Sequence, residues 1–252
     1  MNNMAEHSNW LEYDWQLEGE DAKFGVELSY YRKAPDEARG MLVYFCSQPR
    51  EDRPLTPADI RRIDALAAKC AKRVRTMPAG FVQAGALRQY YFYVASKDEY
   101  DAIEQLAAKE KKLLCRVGGK REEDWATYFQ LLYPNETKYQ TVKNREQVEK
   151  LRRIGDNTDA SRRINLHVCF RAEQQRLLFE EAARQAGYAI GPAEFLSEYD
   201  MPNGVVIYRI STLKREDIDG LTVRTVRLAQ KLEGRLLYWD CNIVPKSVSK
   251  RY

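Results

Sequence analysis

Apolar residues in the first half of the chain follow the periods of strands and helices in a regular succession. Residues 41–46 are apolar and rich in β-forming side chains, which predicts a buried strand. Apolar positions then recur every three or four residues across 60–74, behind Thr56 and Pro57, which suit a helix N-cap and first position. Two strands, a second helix and a closing strand are predicted at 81–87, 89–95, 98–111 and 113–117, the last ended by Gly118-Gly119. The order is β-α-β-β-α-β.

The same order of elements is predicted again in the second half. Strands at 164–170, 188–190, 205–210 and 236–243 alternate with helices at 172–186 and 214–232. Gly187 follows the first of these helices, where a C-cap glycine is expected. This order is typical of a ferredoxin-like layer, an antiparallel sheet with both helices on one face. We therefore predict an α+β chain of two tandem ferredoxin-like domains, at 1–140 and 141–252.

Several segments lie outside these two units of six elements. Residues 10–18 and 23–31 alternate in a way that predicts an N-terminal hairpin. Residues 124–133 are interpreted as a further strand, and a polar helix at 144–154 is expected to link the halves. The first domain thus carries added strands.

One strand of the second half is apolar on both faces. Alternation places Val206, Tyr208 and Ile210 on one side of it and Val205 and Ile207 on the other. Helices can cover only one of these faces, so the other needs a different cover. The added strands, the other domain, a second copy of the chain (a homodimer) and a ligand all remain open.

Composition narrows the class of protein. Hydrophobic residues make up 44% and charged residues 31% of the 252 positions, which is typical of a folded globular protein. No apolar run is long enough to span a membrane, and the polar start lacks the features of a secretory signal. Five scattered cysteines predict free thiols in a reducing compartment, so we expect a cytoplasmic protein. With only two histidines, no metal and no cofactor are predicted.

Two stretches are candidates for binding. Tyr91 and Tyr93 share one sheet face, in a position where RNA-recognition domains stack bases, although the full motif of those domains is absent. The stretch 143–163 is rich in arginine, including Arg152, Arg153 and Arg163, and suits phosphates or an acidic partner. Both also have structural explanations, as paired strand aromatics and as a solvated helix face.

No catalytic motif is found. His167 and Cys169 share one face of a strand, and a Cys/His nucleophile pair can be imagined there, but nothing in the sequence orients them. The Gly118-Gly119-Lys120 run lacks the spacing of a phosphate loop. We therefore assign no catalytic residue and expect a protein that is not an enzyme.

Short motifs of the second half resemble a known family. They are Leu132-Tyr133-Pro134, Gly155-Asp156, Arg162-Arg163, the strand with His167 and Phe170, Gly187-Tyr188, and Tyr238-Trp239. In this order they resemble the bacterial regulator of ribonuclease E activity B. The first 140 residues, with Trp125 and Tyr128 ahead of the Tyr-Pro pair, look like the domain of unknown function often found before it. The resemblance implies a small α/β fold that binds the endoribonuclease and reduces its activity without catalysis.

The charge of the second half differs from that family's pattern. The chain's net charge of +4 is the sum of +5 in residues 140–252 and −1 in residues 1–139, whereas the stand-alone regulator is strongly acidic. An acidic surface that recognises a basic ribonuclease segment would not survive this change of sign.

The predicted function is a non-catalytic cytoplasmic regulator that modulates a ribonuclease by protein–protein contact. Direct binding of single-stranded RNA is the alternative. A protein partner is expected, a ribonuclease and RNA are the candidates, and no membrane is involved. The hypothetical binding residues are Tyr91, Tyr93, Arg152, Arg153, Asp156, Arg163, His167 and Trp239.

Overall fold

The computed structural model of the chain describes residues 9–196 and 200–246. It divides into two compact units, Met1–Pro134 and Asn135–Tyr252, slightly before the break expected near residue 140. Each unit combines one antiparallel sheet with helices, so the chain is α+β as predicted. Among the described helices, none has both the length and the apolar character needed to cross a bilayer.

The first unit is built on a six-stranded antiparallel sheet in the order β1-β2-β4-β5-β3-β6. Its strands are β1 Trp10–Leu17, β2 Glu20–Glu27, β3 Met41–Pro49, β4 Gly80–Ala84, β5 Leu87–Val94 and β6 Leu113–Arg121, and its helices are α1 Pro57–Val74 and α2 Lys97–Ala108. The added N-terminal hairpin is confirmed as β1 and β2. Its turn is Glu18-Gly19, both with positive φ, as a two-residue hairpin turn requires. The core between helices and sheet centres on Val43, Phe45 and Phe92.

The predicted strand at 124–133 is wrong. Residues Thr127–Leu132 form a π-helical turn that lies against the sheet face opposite to α1 and α2. The buried side chains of Trp125, Tyr128 and Leu132 are spaced three and four apart, which is a helical and not a strand period. The Tyr128 hydroxyl donates to the Glu27 carbonyl (2.9 Å) and holds the turn on the sheet.

The glycine pair at 118–119 does not end a strand either. β6 continues to Arg121 and pairs with β3 along its full length. A Cβ at Gly118 would lie 2.5 Å from the Tyr44 hydroxyl, so this glycine makes room for the neighbouring ring. The glycines that predict a turn in the sequence therefore serve close packing within the sheet instead.

The second unit contains a four-stranded antiparallel sheet in the order β10-β7-β9-β8. Its elements are α3 Glu136–Arg153, β7 Arg162–Phe170, α4 Glu173–Gln185, β8 Ala189–Phe195, β9 Asn203–Ser211, α5 Arg215–Gln230 and β10 Arg235–Cys241. Gly187 has φ +83°, which agrees with its predicted place after α4. The core contains Leu166, Val205 and Ile207 on the sheet and Phe179 and Ile218 on the helices.

Helix α3 is longer than the predicted linker helix and is part of the second unit. It begins at Glu136, where the Asn135 side chain accepts from the Lys138 amide, and it packs along α5. The fully buried Asn144 donates to Asp219 and Thr222 of α5 (2.8 and 2.7 Å). The helix is therefore a structural layer of this unit.

Candidate functional site

The sheet of the second unit has one face turned away from its helices. Alternation along β7 sends Ile164, Leu166 and Val168 into the core. The opposite positions form a surface that we call the His167 face. Its members are Arg163, Asn165 and His167 of β7, Tyr208 and Ile210 of β9, and Tyr238 and Asp240 of β10.

A chain of hydrogen bonds runs across this face. Arg163 Nε donates to Asn165 Oδ1 (2.7 Å), and Asn165 Nδ2 donates to Asp240 Oδ1 (2.7 Å). The other Asp240 oxygen lies 2.7 Å from His167 Nε2. These contacts fix each polar group in place before any partner arrives.

The same residues are stacked on aromatic rings. The His167 ring lies on Tyr238, with ring centroids 4.1 Å apart and planes 19° from parallel. The Arg163 guanidinium lies 3.5 Å from the centroid of the Tyr208 ring. Tyr238 is 51% exposed and Ile210 is 64% exposed, so the face presents both apolar and polar surface to solvent.

A second carboxylate lies near the other side of the imidazole. Glu194 Oε2 of β8 lies 3.6 Å from His167 Nδ1, beyond hydrogen-bond distance, and this nitrogen is buried without a hydrogen-bond partner. The ring therefore lies between Asp240 and Glu194 with only 14% of its side chain exposed.

The geometry does not make a nucleophile of Cys169. Its sulfur contacts the Arg235 carbonyl (3.6 Å) and the sulfur of Met201 (3.9 Å). Burial raises the pKa of the Cys169 thiol, which disfavours the thiolate that nucleophilic attack requires. His167 is held by carboxylates instead of by this thiol.

The predicted tyrosines Tyr91 and Tyr93 are covered. Tyr91 is 8% exposed and Tyr93 is 1% exposed. The Tyr93 ring stacks on Trp125 (centroids 3.7 Å apart, planes 5° from parallel), and its hydroxyl donates to Glu122 (2.6 Å). Burial raises the pKa of Tyr91 to about 12. A nucleic-acid base stacks on an open ring face, and neither ring offers one here.

Asp156 and Trp239 are interior residues instead of surface contacts. Asp156 is fully buried, where its carboxylate accepts from Arg162 (2.6 Å) and from the Val244 amide (2.9 Å). Trp239 points into the core and donates to Asn144 Oδ1 (2.9 Å). Both residues hold the second unit together, and a partner would not reach them.

Arg152 and Arg153 lie apart from the His167 face, exposed in the last turn of α3. Arg153 pairs with Glu149 (3.3 Å), four residues earlier. Of the predicted binding residues, the structure thus brings together Arg163 and His167.

Sequence reasoning missed the partners of these two residues. Tyr238 and Asp240 lie two apart on β10, which borders β7, so topology and alternation together could have found them. The obstacle is a bulge at Leu237: Leu236 pairs with Val168 and enters the core, whereas Tyr238 pairs with His167 and faces outward. Strict alternation would place Leu236 and Tyr238 on the same face, so the sequence pattern alone puts Tyr238 in the core.

The fold and this face define an α+β protein of two units, the second of which presents a preorganised polar and aromatic surface. Residues 8–133 match the family model described as "Family of unknown function (DUF695)", and residues 141–241 match the one described as "Regulator of ribonuclease activity B". The chain belongs to the DUF695 family, whose model covers half of it, and its second unit is similar to the regulator of ribonuclease activity B family. Both resemblances and their order are confirmed. A comparison with curated protein sequences gives no significant match.

Proposed function

We propose that this chain is a non-catalytic cytoplasmic regulator that lowers the activity of a ribonuclease by direct protein–protein contact through the His167 face. The observation that supports this proposal is the family match over residues 141–241, because the description of that family is regulation of ribonuclease activity. All five cysteines are free, which suits a reducing compartment.

The composition of the His167 face favours a protein as the partner. Tyrosine and arginine are enriched among the residues that contribute most to protein interfaces, and the face offers Tyr208, Tyr238 and Arg163. Its polar side chains are already hydrogen-bonded to one another, so little ordering is needed on binding. The alternative of single-stranded RNA binding at Tyr91 and Tyr93 is not part of this proposal, because both rings are covered.

The first test is a cleavage assay with a purified ribonuclease E-type endoribonuclease and a labelled RNA substrate. Added chain is expected to lower the cleavage rate with saturation. The same binding constant should emerge from a direct binding measurement without RNA. An unchanged rate and no direct binding would overturn the proposal, and binding only when RNA is present would indicate an RNA-binding protein.

Variants of the face locate the contact. Tyr238→Ala combined with Ile210→Asp removes the two most exposed apolar groups and should weaken inhibition about tenfold or more. Leu178→Asp is the matched control, since Leu178 is equally exposed on α4, on the other side of the sheet. Equal loss in both variants would place the contact elsewhere.

We also propose that both units are ferredoxin-like domains. The support is the order β-α-β-β-α-β in each, with β7 and β3 central beside the third strand of their own unit. In both sheets the fourth strand of this order lies at an edge next to the first.

A further inference from the structure

A groove follows the outer surface of the first unit between α1 and α2. It consists of two depressions of about 700 and 520 Å³ that share Lys69 and Leu106 in their walls. Its accessible apolar surface is formed by Leu106 of α2 and by Ala58 and Ala65 of α1. Its rim is positively charged, and we call it the basic groove, after Arg61, Lys69, Lys72, Arg73, Arg75 and Lys109.

These six cations have no acidic partner. Among the described residues, none of them has a carboxylate oxygen within 4.0 Å. Other arginines of α1 and its surroundings are paired, for example Arg62 with Glu110 (3.9 Å). The groove's other acid, Glu99, is already engaged by the Ala95 amide (2.8 Å) and Arg39 (3.6 Å). Seven cations and two carboxylates thus line the groove, and its net charge is positive.

The shape and lining of the groove distinguish between acidic ligands. Single-stranded nucleic acid is held by cations together with aromatic side chains, and none of the described residues lining the groove is aromatic. A charged phosphate backbone would also gain no favourable contact from an apolar surface. A leucine and two alanines beside a row of cations on α1 instead match a helix that is apolar on one face and acidic on its side.

We infer that the basic groove binds an acidic amphipathic helical segment of a partner protein. The stretch of α1 from Ala58 to Arg75 is roughly 25 Å long, enough to align with a helix of about 18 residues. This contact belongs to the first unit and does not depend on the His167 face or on ribonuclease regulation.

The test is fluorescence anisotropy with the full chain and a labelled peptide of about 18 residues, with leucine on one helical face and glutamate elsewhere. Binding should weaken as ionic strength rises, because exposed charges are screened. A scrambled peptide of the same composition keeps the charge and loses the apolar face, and it should bind about tenfold more weakly. Equal binding of the two peptides would contradict a role for the apolar surface.

Charge reversal identifies the surface. Lys69→Glu with Lys72→Glu should reduce affinity for the peptide about tenfold or more. Arg32→Glu with Lys33→Glu is the charge-matched control, at the end of the short 3-10 helix Leu28–Arg32 that follows β2, and it should have little effect. Equal losses in both double variants would show general attraction to a basic protein. Tighter binding of an RNA duplex than of the peptide, or no peptide binding at low salt, would overturn the inference.

Discussion

Glu122 is the carboxylate on which the covering segment of the first unit depends. It accepts hydrogen bonds from the Tyr93 hydroxyl (2.6 Å), the Thr127 amide (2.7 Å) and hydroxyl (3.0 Å), and lies 2.5 Å from the Lys120 ammonium. Burial of Glu122 raises its pKa, but the hydrogen bonds from Lys120, Tyr93 and Thr127 outweigh this and hold the pKa below its usual value. The ionised form is therefore the one that the fold stabilises.

Glu122→Gln should lower the unfolding free energy by about 2 kcal/mol at neutral pH, because an amide group cannot accept from all of these donors. A folded-state pKa below the unfolded value gives stability that is present above the unfolded pKa and lost as pH falls through the folded one. The difference between the two proteins should therefore begin to shrink as the pH falls below the ordinary glutamate pKa of about 4.3. Urea denaturation followed by tryptophan fluorescence measures this.

The control for Glu122 is its neighbour. Glu123 pairs with Arg121 in solvent, so Glu123→Gln should change stability little at any pH. A difference between wild type and Glu122→Gln that stays constant into acid would contradict the account.

The environments of individual side chains were the hardest feature to predict from the sequence. Strand alternation predicts that His167 and Cys169 share a face, but the predicted strand begins at residue 164 and leaves Arg163 in the basic stretch before it. Tyr91 and Tyr93 had the right alternation, but the ring of Trp125 that covers Tyr93 comes from a segment more than 30 positions away. Burial of Asp156 likewise depends on Arg162 and on the chain after β10. Periodicity predicts which face a side chain is on and not what covers it.

At the scale of elements, one buried amide of α3 contacts two other elements of the second unit. Asn144 donates to Asp219 and Thr222 of α5, and its oxygen accepts from Gln140 and from Trp239 of β10 (2.9 Å each). A single buried side chain thus links three elements, and three of its partners, Gln140, Thr222 and Trp239, are buried as well.

Asn144→Ala should lower the stability of the α3–α5 layer by about 3 kcal/mol, since it leaves the indole and other buried donors unsatisfied. Amide hydrogen exchange of the full chain is the measurement, with the loss of protection expected in both helices. Gln185→Ala removes an exposed bond to Glu181 and should leave exchange unchanged. Unaltered protection in the Asn144 variant would show that the contact is dispensable.

Most helices and strands could be predicted because their periods are strong. The helix behind Thr56 has a capping box with Asp59 and one apolar stripe, and the structure contains it as α1. The polar helix α3 was harder, because its buried positions include Thr137, Gln140 and Asn144, which a hydrophobic pattern does not register. The strand prediction for 124–133 was wrong because a short aromatic run fits both the strand period and the helix period.

At the scale of the whole molecule, the start of the second unit decides whether it folds alone. The family match begins at residue 141, but α3 is capped by Asn135, and Glu136 accepts from Gln230 of α5 (2.7 Å). A fragment of residues 135–252 should unfold cooperatively and be about 2 kcal/mol more stable than 141–252, which lacks the cap and the Gln140 bond.

Thermal unfolding of the two fragments by circular dichroism checks this. Equal melting temperatures would mean that the first turn of α3 adds nothing. A fragment 135–252 that stays unfolded would mean that the second unit needs the first.

The repeated order of elements could be predicted over the whole chain, since it rests on many independent local periods. The break between the units was placed later than the structure has it, because the helix that starts the second unit is polar and reads as a linker. This helix belongs to the second unit because its side chains form hydrogen bonds with α5 and β10, which come much later in the sequence.

The rate at which a buried thiol reacts reports how often its own unit opens to solvent. Cys70 lies in the first core, where burial raises its pKa to about 12, and Cys169 is buried in the second unit. Cys46, Cys115 and Cys241 are partly exposed and can be alkylated first. The slower reaction of Cys70 and Cys169 then times the opening of one unit and the other within the same intact molecule.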